Sequence, residues 1–538
     1  MKKAVRLLSL VLALVMCALT LAACGGNGDT TTPAGTTGNG TTAPTANKWE
    51  NVDLSNSTIR IAYNEYLANT WTASGATNSL PYLTGPDDEG LLSRADYLAA
   101  YERHNRVCEE LGLVPGENLV YSNLGWAGQI DQIITDIQAF NTADSDTAPN
   151  IIMHTNYGMV RAGILGLFYN ALDDEEENYL DLSDDGWYRG MMEENTIDTS
   201  KIYMLMGDYT IDQLRFAMGI LVNKGIADDA LSLYGGLAHI HSLVENGTWT
   251  YDAMMELASY ASNADSGVTG DDLIMGVVSD QWIVRNLFAS SGLDIFKRDT
   301  NGEAFYVQGT EIDPIHDWIT KMISMEKETY FAYNWASDPL NPSKTSPATT
   351  FVNGGSLFAL SQMVLTLEGS LVQDMTNPAG ILPNPKYIPN GEEITSDTNY
   401  GALVSDNANS AGILITSSSR EFTAASAFLQ AMTENSDEFF QKYFTEGLQK
   451  RNNSIGPKQV TMLNFIHDGI CSPMSFMYDN YCAKTVGGDS QTYGAMIYNS
   501  INNLSNTFAS DWAGQINGKV SRWETIKANY GRPTAAGQ

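Results

Sequence analysis

The sequence predicts an α/β fold built as two lobes, and three observations carry that prediction. Strand-like and helix-like segments alternate along the body of the chain, the pattern of layered α/β units around a mostly parallel sheet. The alternation starts afresh after residue 202. The chain has 538 residues, 43% of them hydrophobic, enough for two or three domains with sizeable cores.

The elements follow in order. Residues 58–63 alternate apolar and polar side chains and read as a strand. After a Gly- and Asn-rich stretch, residues 93–111 read as a helix, with Ser93 as N-cap, Asp96 three residues on and Gly112 suited to the position just past its end. Residues 118–122 read as a second strand. Residues 129–140 place Ile130, Ile133, Ile134, Ile137 and Phe140 on one face, an amphipathic helix. Residues 148–153 read as a turn and a buried strand, and 160–168 as a helix. The acidic run 173–177 reads as a solvated loop. Further on, 202–206, 217–222, 355–360 and 412–416 read as strands. Residues 251–260 read as a helix opened by Thr248-Trp249-Thr250, and the last hundred residues are largely helical.

Charge excludes one large class of function. Sixty-three acidic residues face 30 basic ones, a net charge of −33. Such a surface repels phosphate backbones, which argues against a nucleic-acid binder. An aromatic content of 10% is too rich for a disordered polyanion. Five Cys, none at CxxC spacing, make no disulfide framework. Cys471 and Cys482 could pair in an oxidising compartment; three buried free thiols, with Cys108, are the competing reading.

The N-terminus reads as a targeting segment. Lys2, Lys3 and Arg6 precede a 17-residue apolar stretch, 7–23, marginal for a membrane span of about 20 residues. Leu21-Ala22-Ala23-Cys24 with Gly25-Gly26 resembles a bacterial lipobox. By that resemblance Cys24 is lipidated, residues 1–23 are removed and the protein is held on the extracellular face of the cytoplasmic membrane. A plain signal peptide or an uncleaved anchor helix competes with this reading. Residues 25–47 contain eight Thr, six Gly and a single charge. They cannot bury enough surface to offset their ordering entropy and read as a flexible tether.

Several stretches of the body resemble the extracellular solute-binding proteins of ABC transporters, a group that includes sugar and oligosaccharide binders. They are Pro149-Asn150-Ile151-Ile152 with Gly163-Ile164-Leu165-Gly166; Asp181-Leu182-Ser183 with Trp187-Tyr188 and Gly207-Asp208; and Ala217 through Lys224. Asn246-Gly247-Thr248-Trp249-Thr250-Tyr251-Asp252, Phe351-Val352-Asn353-Gly354-Gly355 and Gly380-Ile381-Leu382-Pro383-Asn384-Pro385-Lys386-Tyr387 continue the series in the family's order. The chain departs at Asn150, where the family has Asp, and in residues 264–272, whose degenerate acidic loop leaves no basis for a calcium site there. The resemblance implies a type II periplasmic-binding-protein-like fold, its two lobes joined by a hinge of several crossovers. Carried onto this chain, the first lobe is 48–208 with 411–460 and the second 209–410 with 461–538. It implies a monomer that closes on a carbohydrate and docks on ABC permease subunits, with no cofactor.

The residues themselves say where a sugar would sit. A sugar has apolar C–H faces and hydroxyl edges, so its cleft needs aromatic platforms beside carboxylates and amides. Ligand clefts of α/β folds form beyond the carboxyl ends of strands. Those positions offer Asn64, Glu65 and Tyr66 after the first strand, Trp126 after the second, and His154, Asn156 and Tyr157 after the third. The first hinge segment offers Asp208, Tyr209 and Asp212. The second lobe offers Trp282, between Asp280 and Arg285, and Ser361 and Gln362. Trp187, Trp249, Trp318 and Trp523 read as packing residues, and His154 more as a hydrogen-bonded residue than as a ligand contact. No nucleophile elbow, HExxH, P-loop or GxGxxG appears, and the six His show no metal spacing. A peptide or polyamine binder in the same fold stays open, as does a surface glycoside hydrolase or lyase, whose carboxylate pair has no local signature.

Overall fold

A computed structural model describes residues 48–64, 80–87, 89–124, 130–140, 148–173, 177–279, 283–332, 347–373, 375–448, 456–484 and 492–532. Cys24 and the segments expected to be leader (1–23) and tether (25–47) lie outside them. Residues 1–50 form one unit, of which a turn at 48–50 is described; residues 51–538 form the other.

Two mixed sheets organise the second unit. In chain order their strands are β1 (Ile59–Tyr63), β2 (Leu119–Asn123), β3 (Ile151–Thr155), β4 (Met218–Asn223), β5 (Met275–Val278), β6 (Phe331–Ala332), β7 (Ser356–Met363), β8 (Ala379–Leu382) and β9 (Asn409–Ile413). The first sheet has the order β9-β3-β1-β2 and the second β8-β4-β7-β5-β6. β1 runs parallel to β2 and β3, and β5 parallel to β7 and β6. β9 is antiparallel to β3, and β4 is antiparallel to both β7 and β8. The second sheet is therefore less parallel than the sequence predicts. The reason is topological: β4 and β9 are each the first strand after the chain crosses between sheets, so each starts at the edge where its neighbours end.

Local sequence explains the main elements. All five residues of β3 are buried, as a strand covered on both faces must be. The 95–111 helix buries Tyr97, Ala100, Val107 and Leu111 along one stripe. Gly112 ends it at φ 69°, a left-handed cap that returns its N–H to the carbonyls of Cys108 and Glu109. Thr250 caps the 251–261 helix through its hydroxyl, and Ser418 with Glu421 forms a capping box on the 419–434 helix. Three buried indole N–H groups donate to acceptors: Trp249 to the Pro383 carbonyl at 2.9 Å, Trp318 to the Tyr251 hydroxyl at 3.2 Å and Trp523 to the Ala304 carbonyl at 2.7 Å. Those three are packing residues, as is Trp187, which donates to Gln430 at 2.8 Å.

Three local readings are corrected. Ser93 does not cap the 95–111 helix; it closes a preceding 3-10 turn, and Arg94 holds the cap position without a side-chain bond. The helix expected at 160–168 spans Asn156–Ile164, because Thr155 accepts from the Gly158 N–H and starts it directly after β3. Residues 202–206 form no strand, only an isolated bridge between Leu205 and Ala411. Cys471 is a free, half-buried thiol, and the side chain of Cys482 lies outside the described set.

Candidate functional site

Pairing register fixes where the strand ends fall. Thr155, the end of β3, lies opposite Asn409, the start of β9, and Met363, the end of β7, opposite Met218, the start of β4. The carboxyl edges of both sheets therefore border the segments that cross between them: residues 207–217, with a short helix Asp212–Arg215, and residues 404–408. In α/β folds ligands bind outside the carboxyl ends of the strands.

Amides and one carboxylate knit this border. The Asn64 side chain donates to Asn409 at 3.2 Å, and Asn409 donates to Asp212 at 2.8 Å. Gln213 donates to the Asn409 carbonyl at 2.8 Å and forms a reciprocal amide pair with Asn156, both contacts at 3.2 Å. On the second sheet, Asn286 donates to Ser361 at 3.2 Å and pairs with Asn384, which also donates to the Met218 carbonyl at 3.1 Å. A register shift in the β4–β7 pairing makes a β-bulge here. Ser361 sits in it at φ 59°, a strained value for a residue other than Gly. The bulge re-aims the strand before Gln362, whose side chain donates to the Leu360 carbonyl at 2.9 Å.

The structure thus joins Asn64, Asn156 and Asp212 through Asn409 and Gln213 beside the first sheet and places Ser361 and Gln362 near the end of β7 in the second, and all five are buried at the border. They frame it rather than face solvent. His154 lies behind, buried in β3, its Nδ1 accepting from the Thr155 N–H at 2.7 Å; burial pushes its pKa down to about 4. Tyr209 is also interior, its hydroxyl donating to the Leu205 carbonyl at 3.0 Å and its ring tilted against Trp187. Tyr157 is half-buried in the first turn of its helix, its N–H reaching the Asp406 carbonyl at 3.4 Å. Asp406 is half-buried; burial raises its pKa and the Arg285 charge opposes that rise. Glu65, Tyr66, Trp126, Asp280 and Trp282 lie outside the described residues.

Asp208 belongs elsewhere on the hinge. Its carboxylate accepts from the Tyr188 hydroxyl and lies 3.5 Å from His467 Nε2. Burial pulls His467 down, but the hydrogen bond and charge of Asp208 outweigh it and its pKa ends above the ordinary value. Tyr188 and His467 line a cavity of about 460 Å³ with Trp187, Arg189 and Asp468. A cavity of about 580 Å³ shares Asp468 and Ile470 with it and extends past Asp294, Arg298 and Cys471. None of the described residues expected to touch ligand lines that larger cavity.

A second set of polar residues at the border escaped sequence reading. Arg215 donates to both carboxylate oxygens of Glu368, at 2.8 and 3.1 Å. Tyr443 donates to Glu368 at 2.7 Å, and the Tyr82 hydroxyl lies 3.5 Å from its other oxygen. Among the described residues, no cluster of three or more His, Cys, Asp or Glu is arranged to hold a metal, and no helix is long and apolar enough to cross a membrane.

No family model matches the chain, and no curated protein does. Solved structures match over most of its length. A cyclic α-maltosyl-1,6-maltose binding protein from Arthrobacter globiformis is 12% identical, covers 87% of this chain and 100% of its own, and has a TM-score of 0.51. The sugar-binding protein MalE from Xanthomonas citri is 11% identical, with coverages of 88% and 99% and a TM-score of 0.51. A family 1 extracellular solute-binding protein from Bifidobacterium longum subsp. infantis is 13% identical, with coverages of 87% and 100% and a TM-score of 0.47. The chain has the two-lobed α/β fold of the first two.

Proposed function

We propose that this protein is the extracytoplasmic substrate-binding component of an ABC importer, which captures a sugar or oligosaccharide between its lobes and passes it unchanged to permease subunits. The observation that carries the reading is the border itself: two carboxyl edges face one seam, crossed by the chain at 207–217 and 404–408. Hinge motion at such crossings closes the lobes on a solute. The sugar binders that share the fold support a carbohydrate ligand. Lobe boundaries near residues 208, 410 and 460, and a Cys24 lipid anchor followed by the 25–47 tether, complete the proposal. The contacts proposed for the sugar are Glu65, Tyr66, Trp126 and Trp282, which follow strands in the sequence, and Tyr157, in the first turn of the helix after β3, with the buried amides as support.

The test is a melting-temperature screen of the whole mature chain against a panel of neutral oligosaccharides, with product analysis on every hit. A rise in Tm without turnover is expected. Trp126→Ala and Trp282→Ala should each weaken binding by about 1–3 kcal/mol, the usual cost of losing an aromatic anchor. Release of products would replace the reading with a surface glycoside hydrolase.

A further inference from the structure

A helix of the second sheet's layer ends against the first sheet's layer. The helix Pro457–Asp468 is built onto the second sheet: its Gln459 accepts from the Ile381 N–H of β8 at 2.7 Å, and its Ile466 fills the space that a side chain at Gly219 of β4 would need. Its last turn carries His467 to the other layer. There the ring tilts against Phe440 of the Asp437–Lys442 helix, 5.3 Å between centroids, and meets the Tyr188 ring edge-on at 5.8 Å. The 437–442 helix packs on the 95–111 helix, which packs on the 419–434 helix beside β1. Asp208 is the fixed point of the contact. Its N–H donates to the Gly186 carbonyl at 2.8 Å, and its carbonyl accepts from Arg103 at 3.0 Å and from Ser436 at 2.6 Å. Those bonds tie the start of the 207–217 crossing to the first sheet's layer and leave the Asp208 carboxylate to Tyr188 and His467.

A neutral ring does not suit this place. Nε2 of His467 lies 3.5 Å from the Asp208 carboxylate, and Nδ1 lies 3.9 Å from that of Asp468. Neutral imidazole has one N–H, so one of its lone pairs always faces a carboxylate; imidazolium offers an N–H to each. The Tyr188 hydroxyl, 3.2 Å from Nε2, gives its own proton to Asp208, and burial keeps that hydroxyl protonated. A cation in the last turn also meets the carbonyl end of its helix. Of the other charged groups beside the ring, Asp184 and Asp185 are acids, and Arg189 is taken by Glu193 at 2.8 Å. Arg103, near Asp208, spends its N–H groups on the Asp208 and Tyr82 carbonyls and Ser436. His467 lines the cavity of about 460 Å³ and is 23% exposed, so a proton reaches it without unfolding. Burial opposes that proton, but the hydrogen bond and charge of Asp208 prevail and raise the folded pKa above the ordinary 6.5. The contact is therefore complete below 6.5 and is lost as pH rises through the higher folded value.

We propose that His467 is a proton-operated latch on the hinge: its imidazolium clasps Asp208 and holds the second sheet's layer to the first, and loss of the proton frees the 207–217 crossing to move. This rests on the reading of that crossing as a hinge, and not on which solute the protein takes. Two measurements on the whole mature chain without ligand test it. In proton NMR the His467 ring, assigned by the signal lost in His467→Gln, should titrate above 6.5, and in Asp208→Asn at or below that value. In hydrogen exchange read by mass spectrometry and corrected for the pH dependence of the chemical step, peptides over 205–217 and 463–470 should open about tenfold more readily at about pH 8.5 than at about pH 5.5, the usual worth of a hydrogen bond to a charged group. In His467→Gln, which keeps an N–H donor and never gains a charge, that ratio should stay below about twofold, and a peptide over β3 should show no such ratio in either protein. A His467 that titrates at or below 6.5, equal opening at the two pH values in the parent, or an undiminished ratio in His467→Gln overturns the latch. Should Asp208→Asn fail to fold, the parent and His467→Gln decide. A sugar panel without a binder would remove the carbohydrate reading and leave the latch standing, because neither measurement uses a ligand.

Discussion

Two arginine–acid pairs lie at the two crossing segments, Arg215 with Glu368 at 207–217 and Arg285 with Asp406 at 404–408, and their surroundings differ. At the 207–217 segment, Arg215 and Glu368 are fully buried, and each is satisfied by the other, with Tyr443 completing the carboxylate. At the 404–408 segment, Arg285 and Asp406 are also an arginine and an acid, yet both are half-buried, and the Arg285 charge opposes the rise that burial causes at Asp406. The difference teaches that charge in this seam is not itself a sign of ligand contact. A bidentate, dry pair ties together the two segments that flank strands of the second sheet, whereas the other pair sits where solvent reaches it.

The largest effect should come from breaking the dry pair. Glu368→Ala leaves Arg215 charged without its carboxylate and should cost about 3–5 kcal/mol of stability, measured by denaturant unfolding. Replacing the pair with apolar residues of similar volume, Arg215→Met with Glu368→Leu, should recover most of that loss, because the desolvation of both charges disappears together. If the double variant is as unstable as the single one, the pair is not the organising contact of that segment.

The 404–408 pair should answer through binding and not through folding. Asp406→Asn keeps the shape and the Ser405 contact but removes the charge, so its Tm should stay within about 2 °C of the parent. Its affinity for a saccharide that binds the parent should fall roughly tenfold, the usual worth of a charged hydrogen bond. The reverse pattern, a large drop in Tm with unchanged Kd, would assign Asp406 to the frame.

Much of the frame was legible in the sequence, and the reasons are local. Alternation and buried runs marked β1, β3 and β4 to within a few residues, and the Thr250 cap and the packing roles of Trp249, Trp318 and Trp523 were read correctly. The failures share one cause, since tertiary pairing overrode local preference. Residues 202–206 look like a strand but find only a single bridge partner, at Ala411. Thr155 ends β3 and starts the next helix in one step, so no loop carries Asn156 and Tyr157. Strand ends pointed to Asn64, Asn156 and Ser361 and the expected hinge to Asp212, but nothing local announced that Asn409, Gln213 and Asn286 would complete their hydrogen bonds, because those partners lie between 57 and 345 residues away or on another strand's edge. Arg215 and Glu368 were missed for the same reason: 153 residues separate them, and neither sits in a recognisable spacing.

The smallest effect, and the sharpest discriminator of the two pairs, is their response to acid. Burial alone would lower the Arg215 pKa, but Glu368 outweighs it and holds the guanidinium charged, while burial keeps the Tyr443 hydroxyl protonated; that segment carries no titration from either between pH 4 and 9. Asp406 behaves differently. Its folded pKa lies above the ordinary carboxylate value, so the folded protein holds the proton more tightly than the unfolded chain does. Its contribution is therefore most favourable below the unfolded value of about 3.9 and is lost as pH rises through the folded value. His154 has the opposite sign: with a folded pKa of about 4, its contribution is present above 6.5 and lost as pH falls between those limits, and His104, also at about 4, adds to it. In the parent these slopes oppose each other. Asp406→Asn removes that opposing contribution and leaves the others, the raised His467 among them, in place, so that Tm should rise more steeply from pH 4 to 6.5, by an extra ~1–2 °C. Glu368→Gln, which alters only the dry pair, should shift the whole curve downward, and a change of slope there in place of at Asp406 would reverse the assignment of which pair is wet.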